Sequence, residues 1–201
     1  MSDPIKIHSA LAEAMSARSY DTMTPVQEAV LDIEQPDADL LVSAQTGSGK
    51  TLAFGLSIAT TLLQEDTEFN HPKLPVALII APTRELALQV RKELEWVYAR
   101  TKAQFASCVG GMDPRAERRT LESGAHIVVG TPGRLRDHIE RGALRLSDIK
   151  AVVLDEADEM LDMGFREDLT FILEKAPVSR RTLLFSATVP AQIAKMARTY
   201  Q

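Results

Sequence analysis

Only one of the 201 residues, Cys108, is a cysteine, so the chain cannot close a disulfide on itself. The opening MSDPIKIHSA lacks the apolar centre of an export signal. Together the two absences predict a reducing, cytoplasmic setting. Long hydrophobic runs are missing too: VALIIA at 76–81 is the longest, far short of the about 20 apolar residues a helix needs to span a bilayer, so no membrane partner is expected. Nor is there an excess of positive charge. Lysine and arginine number 23 against 28 aspartates and glutamates, a formal net charge of -5. This excludes nucleic-acid binding by bulk basicity and leaves room for a local basic strip. Internal repeats and low-complexity segments are also lacking.

What is present is an ordinary globular composition, 45% hydrophobic and 25% charged, of a size that suits one domain over 1–201 with a short leading region over 1–35. Short apolar, β-rich runs recur at 40–43, 76–81, 104–109, 126–129, 151–154 and 182–186. Helical spacing fills most of the intervals, over 50–64, 84–100, 113–122, 133–141, 165–174 and 190–199, and 9–19 reads as a leading helix with Ser9 as its N-cap. Residues 65–75 read as a surface loop. Strands alternating with helices predict an α/β sandwich with a mostly parallel central sheet covered on both faces. The unusual residue clusters, at 44–51, 82–86, 110–111, 131–134, 155–158 and 186–188, all follow a predicted strand. In open parallel sheets ligands sit at that carboxyl edge.

The first cluster, AQTGSGKT at 44–51, departs from the phosphate-loop pattern G-x-x-x-x-G-K-[ST] only at Ala44. Gly47 and Gly49 allow a tight turn that aims backbone N–H groups at phosphate oxygens, and the following helix adds its positive end. Lys50 would reach the β- and γ-phosphates and the Thr51 hydroxyl would hold Mg²⁺. Read alone, the stretch is equally a glycine-rich loop with an exposed lysine. AVVLDEAD at 151–158 supplies the partner: four apolar residues run straight into two carboxylates. Asp155 would hold the magnesium and Glu156 would orient or deprotonate an attacking water. The alternative for Asp155, Glu156 and Asp158 is a solvated acidic loop.

With AQTGSGKT and DEAD in order, the chain resembles the N-terminal RecA-like domain of a DEAD-box RNA helicase of superfamily two. TPVQ at 24–27 resembles that family's adenine-reading Q motif, PTREL at 82–86 motif Ia, Gly110–Gly111 the GG element, TPGR at 131–134 motif Ib, and SAT at 186–188 motif III. The resemblance implies a RecA-like three-layer sandwich and an RNA-stimulated ATPase that unwinds short RNA duplexes or remodels RNA–protein complexes, with ATP and Mg²⁺ as cofactors. It implies that the nucleotide is held by Tyr20, Gln27 and the stretch Ala44, Gln45, Thr46, Gly47, Ser48, Gly49, Lys50, Thr51. Lys50, Asp155 and Glu156 would be catalytic, with Thr51 and Asp155 on the metal. Thr83, Arg84, Gly110, Gly111, Thr131, Gly133 and Arg134 would touch the RNA backbone without reading sequence. Ser186 and Thr188 would bond Asp158 and couple the ATP site to closure. On their own chemistry, Gln27 is equally a surface glutamine after a Pro turn, Ser186 and Thr188 are equally helix N-caps, and Arg84 and Arg134 are equally solvated helix starts.

The remaining candidates read as structural. Arg115, Arg118, Arg119 and Arg136 are expected as exposed helix charges, and Met160, Met163 and Phe165 as packing behind the acidic motif. Trp96 and Tyr98 fit helix packing, Cys108 a buried strand position, and His8, His71, His126 and His138 have no metal-ligand spacing. Two departures from the family stand out. SYDTMTPVQ at 19–27 carries Ser19 and Met23 where the family has Gly and Pro, and residues 1–19 offer no aromatic to sandwich adenine. The chain also stops at Gln201, soon after motif III. The family's second RecA-like domain brings arginine fingers that contribute about 10³–10⁵ in rate. The expectation is therefore an ATP-binding fragment, monomeric and weakly active or inactive in isolation. A non-catalytic, nucleotide-regulated RNA clamp or scaffold is the alternative.

Overall fold

A computed structural model describes residues 7–201; the first six residues of the leading region 1–35 lie outside the described residues. Six strands, β1 (Leu40–Ser43), β2 (Ala77–Ile80), β3 (Phe105–Cys108), β4 (Ile127–Gly130), β5 (Ala151–Leu154) and β6 (Arg181–Ser186), form one sheet in the order β1-β6-β5-β2-β4-β3. Every neighbouring pair is parallel. The sheet is thus wholly rather than mostly parallel. The four inner strands are buried along their full length, which is why β2, β4 and β5 read as apolar runs and β6 has an apolar centre. The edge strands alternate instead: Leu40 is buried while Leu41 faces solvent.

Successive strand residues point to opposite faces, and the core divides accordingly. Ile79, Val129, Val153, Leu183 and Phe185 pack on one face, together with α1 (Ser9–Ala17), α2 (Pro25–Leu31), α3 (Lys50–Leu63) and α4 (Arg84–Val97). Leu78, Ile80, Val128, Val152, Leu154 and Leu184 pack on the other, against α6 (Pro132–Glu140), α7 (Ala157–Asp162), α8 (Arg166–Lys175) and α9 (Ala191–Tyr200). The ten-residue polar helix α5 (Pro114–Ser123) flanks β3. Arg181 opens β6 at 4% exposure because its guanidinium is satisfied: Nε donates to Ala38 O at 2.8 Å, Nη1 to Ser57 O at 2.8 Å and Nη2 to Ser57 Oγ at 2.9 Å. Among the described residues no helix is long and apolar enough to cross a membrane.

Several sequence expectations need correcting. Helix α1 ends at Ala17, and its N-cap is His8, with Ser9 already helical. Helices α2 and α7, of 7 and 6 residues, went unpredicted because they are too short to show helical periodicity. Strand β1 stops at Ser43, although the Ala44 N–H still donates to Ser186 O at 3.0 Å. Met163 is 49% exposed and does not pack behind the acidic motif, whereas Met160 is fully buried there. Tyr98 is a core residue whose hydroxyl donates to Gly55 O at 2.7 Å, and Trp96 is half-buried under the Arg18 guanidinium, 4.6 Å from its ring centre.

Residues 65–75 carry neither helix nor strand and are pinned at the opposite edge by His126. Its Nδ1 accepts from Gln104 N–H at 2.9 Å, its Nε2–H donates to Asn70 O at 2.7 Å, and Phe69 stacks on the ring at 4.5 Å. Both nitrogens are used by the neutral form. Burial therefore holds its pKa below 6.5, against the Asn70 hydrogen bond. A depressed histidine contributes stability above its unfolded pKa and loses it as pH falls through about 6.5, where only the unfolded chain takes the proton. Thermal melts between pH 8 and pH 5 should therefore fall more steeply for the wild type than for His126→Gln; equal slopes would remove this anchor from the account.

Candidate functional site

The sheet order splits the carboxyl edge in two. Loops after β1, β6 and β5 carry AQTGSGKT, SAT and DEAD; those after β2, β4 and β3 carry PTREL, TPGR and Gly110–Gly111. Strands β1 and β5 lie two strand spacings apart, about 10 Å, with β6 between them. The 44–49 loop, the Lys50 side chain and the turn after β5 close that gap between them. Lys50, at 5% exposure, opens α3 and places Nζ 2.6 Å from Glu156 Oε1 and 3.4 Å from Asp155 Oδ1. Thr46 Oγ1 donates to the same Glu156 oxygen at 3.0 Å.

Both carboxylates are buried, Asp155 at 1% and Glu156 at 6%. Burial pushes the Asp155 carboxyl up to about 6; the Lys50 ammonium pulls it down and the Glu156 charge adds to the rise. Glu156 sits in the left-handed region at φ 52°, ψ 51° as the N-cap of α7. A non-glycine residue there costs of order 1–3 kcal/mol, and the strained turn is what swings the Glu156 carboxylate back over the 44–51 loop. Asp155 Oδ1 accepts from the Glu156 N–H at 3.0 Å and steadies the same turn.

The loop itself is shaped for a ligand. Gly47 and Gly49 have φ of 81° and 89°, and Gly49 caps the 14-residue α3. Ser48 Oγ is buried with no hydrogen-bond partner, a polar atom left for something else to satisfy. Thr51 is half-buried in the first turn, Ala44 is buried, and Gln45 is exposed. Gln27, far from being a surface residue, is 0% exposed on α2. Its Oε1 accepts from Thr24 N–H at 3.0 Å, and its Nε2 donates to Gly49 O at 3.0 Å and to the Tyr20 hydroxyl at 3.1 Å. The amide thus ties α2 and Tyr20 to the glycine loop.

Asp158, in the first turn of α7, is joined to β6 and its loop. Its N–H donates to Ser186 Oγ at 3.1 Å, and its Oδ2 accepts from Thr188 N–H at 3.0 Å and Thr188 Oγ1 at 2.8 Å. Partial burial opposes its charge, but the bonds from Thr188 and Ser186 outweigh this and hold the carboxyl below its usual range. Neither hydroxyl caps α9, whose N-cap is Pro190.

On the other half of the edge, Thr83 and Thr131 are the N-caps of α4 and α6, with Thr83 Oγ1 accepting from Leu86 N–H at 3.2 Å. A threonine directly before a helical run is the sequence signal for such a cap. Arg84 is exposed, with Nη2 3.5 Å from Met112 Sδ. Gly110 and Gly133 are open, with nothing near where a Cβ would stand, while a Cβ on Gly111 would come within 2.7 Å of Arg84 Nη1. Arg134 is not a free solvated arginine: its Nη1 donates to Glu117 Oε2 at 2.9 Å and to Met112 O at 3.2 Å. Arg115, Arg118 and Arg119 are exposed. Arg136 is half-buried, bonded to Glu140 at 2.9 Å and Asp168 at 3.2 Å, with Phe171 under its guanidinium.

Comparisons with known proteins were made against this geometry. The family model described as DEAD/DEAH box helicase matches residues 24–196. The DEAD-box ATP-dependent RNA helicase CshA of Bacillus licheniformis is 42% identical over 195 residues, covering 97% of this chain and 39% of that protein. DEAD-box ATP-dependent RNA helicase 53 of Oryza sativa subsp. japonica is 44% identical over 191 residues, 94% of this chain and 31% of that protein. The crystal structure of a DEAD box protein from the hyperthermophile Methanococcus jannaschii superposes with a TM-score of 0.88 at 36% identity, over 98% of this chain and 52% of that one. This chain therefore spans about a third to two-fifths of these curated relatives. The parallel sheet with helices on both faces is the RecA-like α/β sandwich that the sequence resemblance implied, and the chain belongs to the DEAD/DEAH box helicase family.

Proposed function

We propose that this chain is the ATP-binding half of an ATP-dependent RNA helicase, an RNA-stimulated ATPase that unwinds short duplexes or remodels RNA–protein complexes. The observation that carries the reading is the buried convergence of Lys50 with Asp155 and Glu156 beside a glycine loop that leaves Ser48 Oγ unsatisfied. ATP would supply the phosphoanhydride bond, and Mg²⁺, held by Thr51 and Asp155, would neutralise charge between its phosphates. The donor set fits: a helix N-terminus, two positive-φ glycines, an orphan hydroxyl, one ammonium and hard oxygen ligands. When Lys50 turns to phosphate, Glu156 keeps only the Thr46 hydroxyl and becomes available to orient or deprotonate water. Gln27 and Tyr20 border the loop where a base would lie, and the Asp158–Ser186–Thr188 bonds tie the acidic motif to β6.

RNA would lie along the second half of the edge, on Thr83, Arg84, Gly110, Gly111, Thr131, Gly133 and Arg134. Threonine hydroxyls, two guanidiniums and bare glycine backbone suit a ribose-phosphate chain. The longer relatives support a second RecA-like domain as the partner that closes this cleft, and a monomer in the cytoplasm fits the reading.

Two tests follow. In the natural protein carrying this chain, Glu156→Gln should lower RNA-stimulated ATP turnover by about 10²-fold or more without weakening ADP, because Lys50 loses a competing carboxylate; unaltered turnover in steady-state phosphate release would remove Glu156 from the chemistry. Gly49→Ala should harm both stability and nucleotide affinity more than Gly47→Ala. An added Cβ at Gly49 meets Gln27 Nε2 at 2.6 Å and Thr24 Oγ1 at 2.9 Å, whereas at Gly47 it meets nothing within 4 Å and costs only the positive-φ strain of about 1 kcal/mol. Denaturant melts and ADP titrations would show it, and equal effects would contradict the packing argument.

A further inference from the structure

Away from the nucleotide residues, the most unusual buried group lies beneath the other half of the sheet edge. Helix α5 is polar, and its one buried residue is a glutamate, Glu117, at 6% exposure. A carboxylate is rarely buried unless it is paired and hydrogen-bonded, because desolvation is expensive. Glu117 is paired three ways. Its Oε1 accepts from the Val109 N–H at 2.8 Å; its Oε2 accepts from Arg134 Nη1 at 2.9 Å and His138 Nε2 at 2.7 Å. The donors come from the residue before Gly110–Gly111, from the first turn of α6 and from one turn further along it.

These bonds bear on the groups proposed to face RNA. Arg134 Nη1 is turned inward to Glu117 and to Met112 O, leaving the side chain 16% exposed and the rest of its fork free. The 110–112 loop is held at its base by Val109 and at its far end by Arg134. The Thr131 N–H donates to Cys108 O at 3.0 Å, so the two loops share one frame. The other ring nitrogen of His138, Nδ1, is buried without a hydrogen-bond partner. His138 is 1% exposed, so the imidazole is a fixed donor with no room to turn to solvent.

One ligand atom each from Cys108, Glu117 and His138 lies within 4.8 Å of the others, a set with metal-ligand chemistry. The protein already fills it: Arg134 neutralises the carboxylate, both of whose oxygens take N–H donors. Burial, then the Glu117 charge, push the Cys108 thiol up and keep it protonated. An ion-paired strut accounts for the cluster without a cation.

We propose that Glu117 and His138 are positioning residues for RNA binding: the carboxylate, held by His138, fixes Arg134 and the 109–112 loop in one arrangement, so that neither is ordered at the expense of binding. This rests on the helicase reading above. The gain is preorganisation, since a guanidinium locked by a second shell loses less freedom when it meets phosphate.

The test uses the natural protein carrying this chain, with RNA-stimulated ATPase titrated against a single-stranded RNA and ADP affinity measured without RNA. Glu117→Ala should raise the half-saturating RNA concentration about tenfold, the effect of losing one charge-assisted contact, with turnover at saturating RNA and ADP affinity within about threefold of wild type. In an Arg134→Ala background the same change should add less than about threefold, because the glutamate acts through that arginine. His138→Gln, which keeps a donor, should bind RNA better than His138→Leu. A folded Glu117→Ala protein with unchanged RNA half-saturation, or fully multiplicative effects with Arg134→Ala, overturns the proposal. If Glu117→Ala does not fold, equal RNA binding by the two His138 variants overturns it instead. A wild type whose ATPase ignores RNA sinks the helicase reading, whereas an RNA-stimulated wild type with indifferent variants sinks only the strut.

Discussion

A buried ammonium set against two buried carboxylates is the interaction on which the site depends. Lys50, Asp155 and Glu156 are each almost fully removed from water, and none of the three charges is tolerable there without the others. The contact joins residues 106 apart in sequence, and only the strand order makes it short. With only β6 between β1 and β5, the loops after these two strands lie close enough for Lys50 to reach both carboxylates. The parallel sheet is therefore a ruler for the site as well as a core.

The same order divides the loops along the carboxyl edge into two groups. Beside β6 lie the loops that share Lys50, Glu156 and Thr46; beyond β5 lie the threonine caps, the open glycines and the arginines. Strands β5 and β2 are direct neighbours, in register from Ala77 opposite Ala151 to Ile80 opposite Leu154. A small shift of the DEAD turn thus acts next to the PTREL turn without passing through a flexible segment. Asp158 extends the connection to β6 through Ser186 and Thr188.

Much of this was legible in the sequence for a simple physical reason. Inner strands buried on both faces favour apolar residues, so AVVL and VALIIA stand out in the sequence, while β6 admits Arg181 only because its guanidinium is fully bonded. The words at 44–51 and 155–158 fall in loops at one edge, where Lys50 meets Asp155 and Glu156. Other features could not be read. The helices α2 and α7 are shorter than two turns and leave no periodic trace. Met163 sits in an apolar-looking stretch, yet the turn at Gly164 carries it outward. Glu117 carries no signal in the sequence of a polar helix, because its three donors are contributed by other segments. Arg134 and Gln27 were misread, in their stand-alone readings, for the same reason: burial is a property of the folded neighbourhood.

The Gln27 amide has no idle atom. Its oxygen and its nitrogen are committed to Thr24, Tyr20 and the Gly49 carbonyl. A purine edge arriving at this amide must exchange partners rather than add them, so the net gain from hydrogen bonding is a small difference between similar terms. A wrong base incurs the loss without the return. Were a base to dock on this amide, the release of the Gly49 carbonyl and the reading of the base would be a single event, one that favours choosiness over tightness.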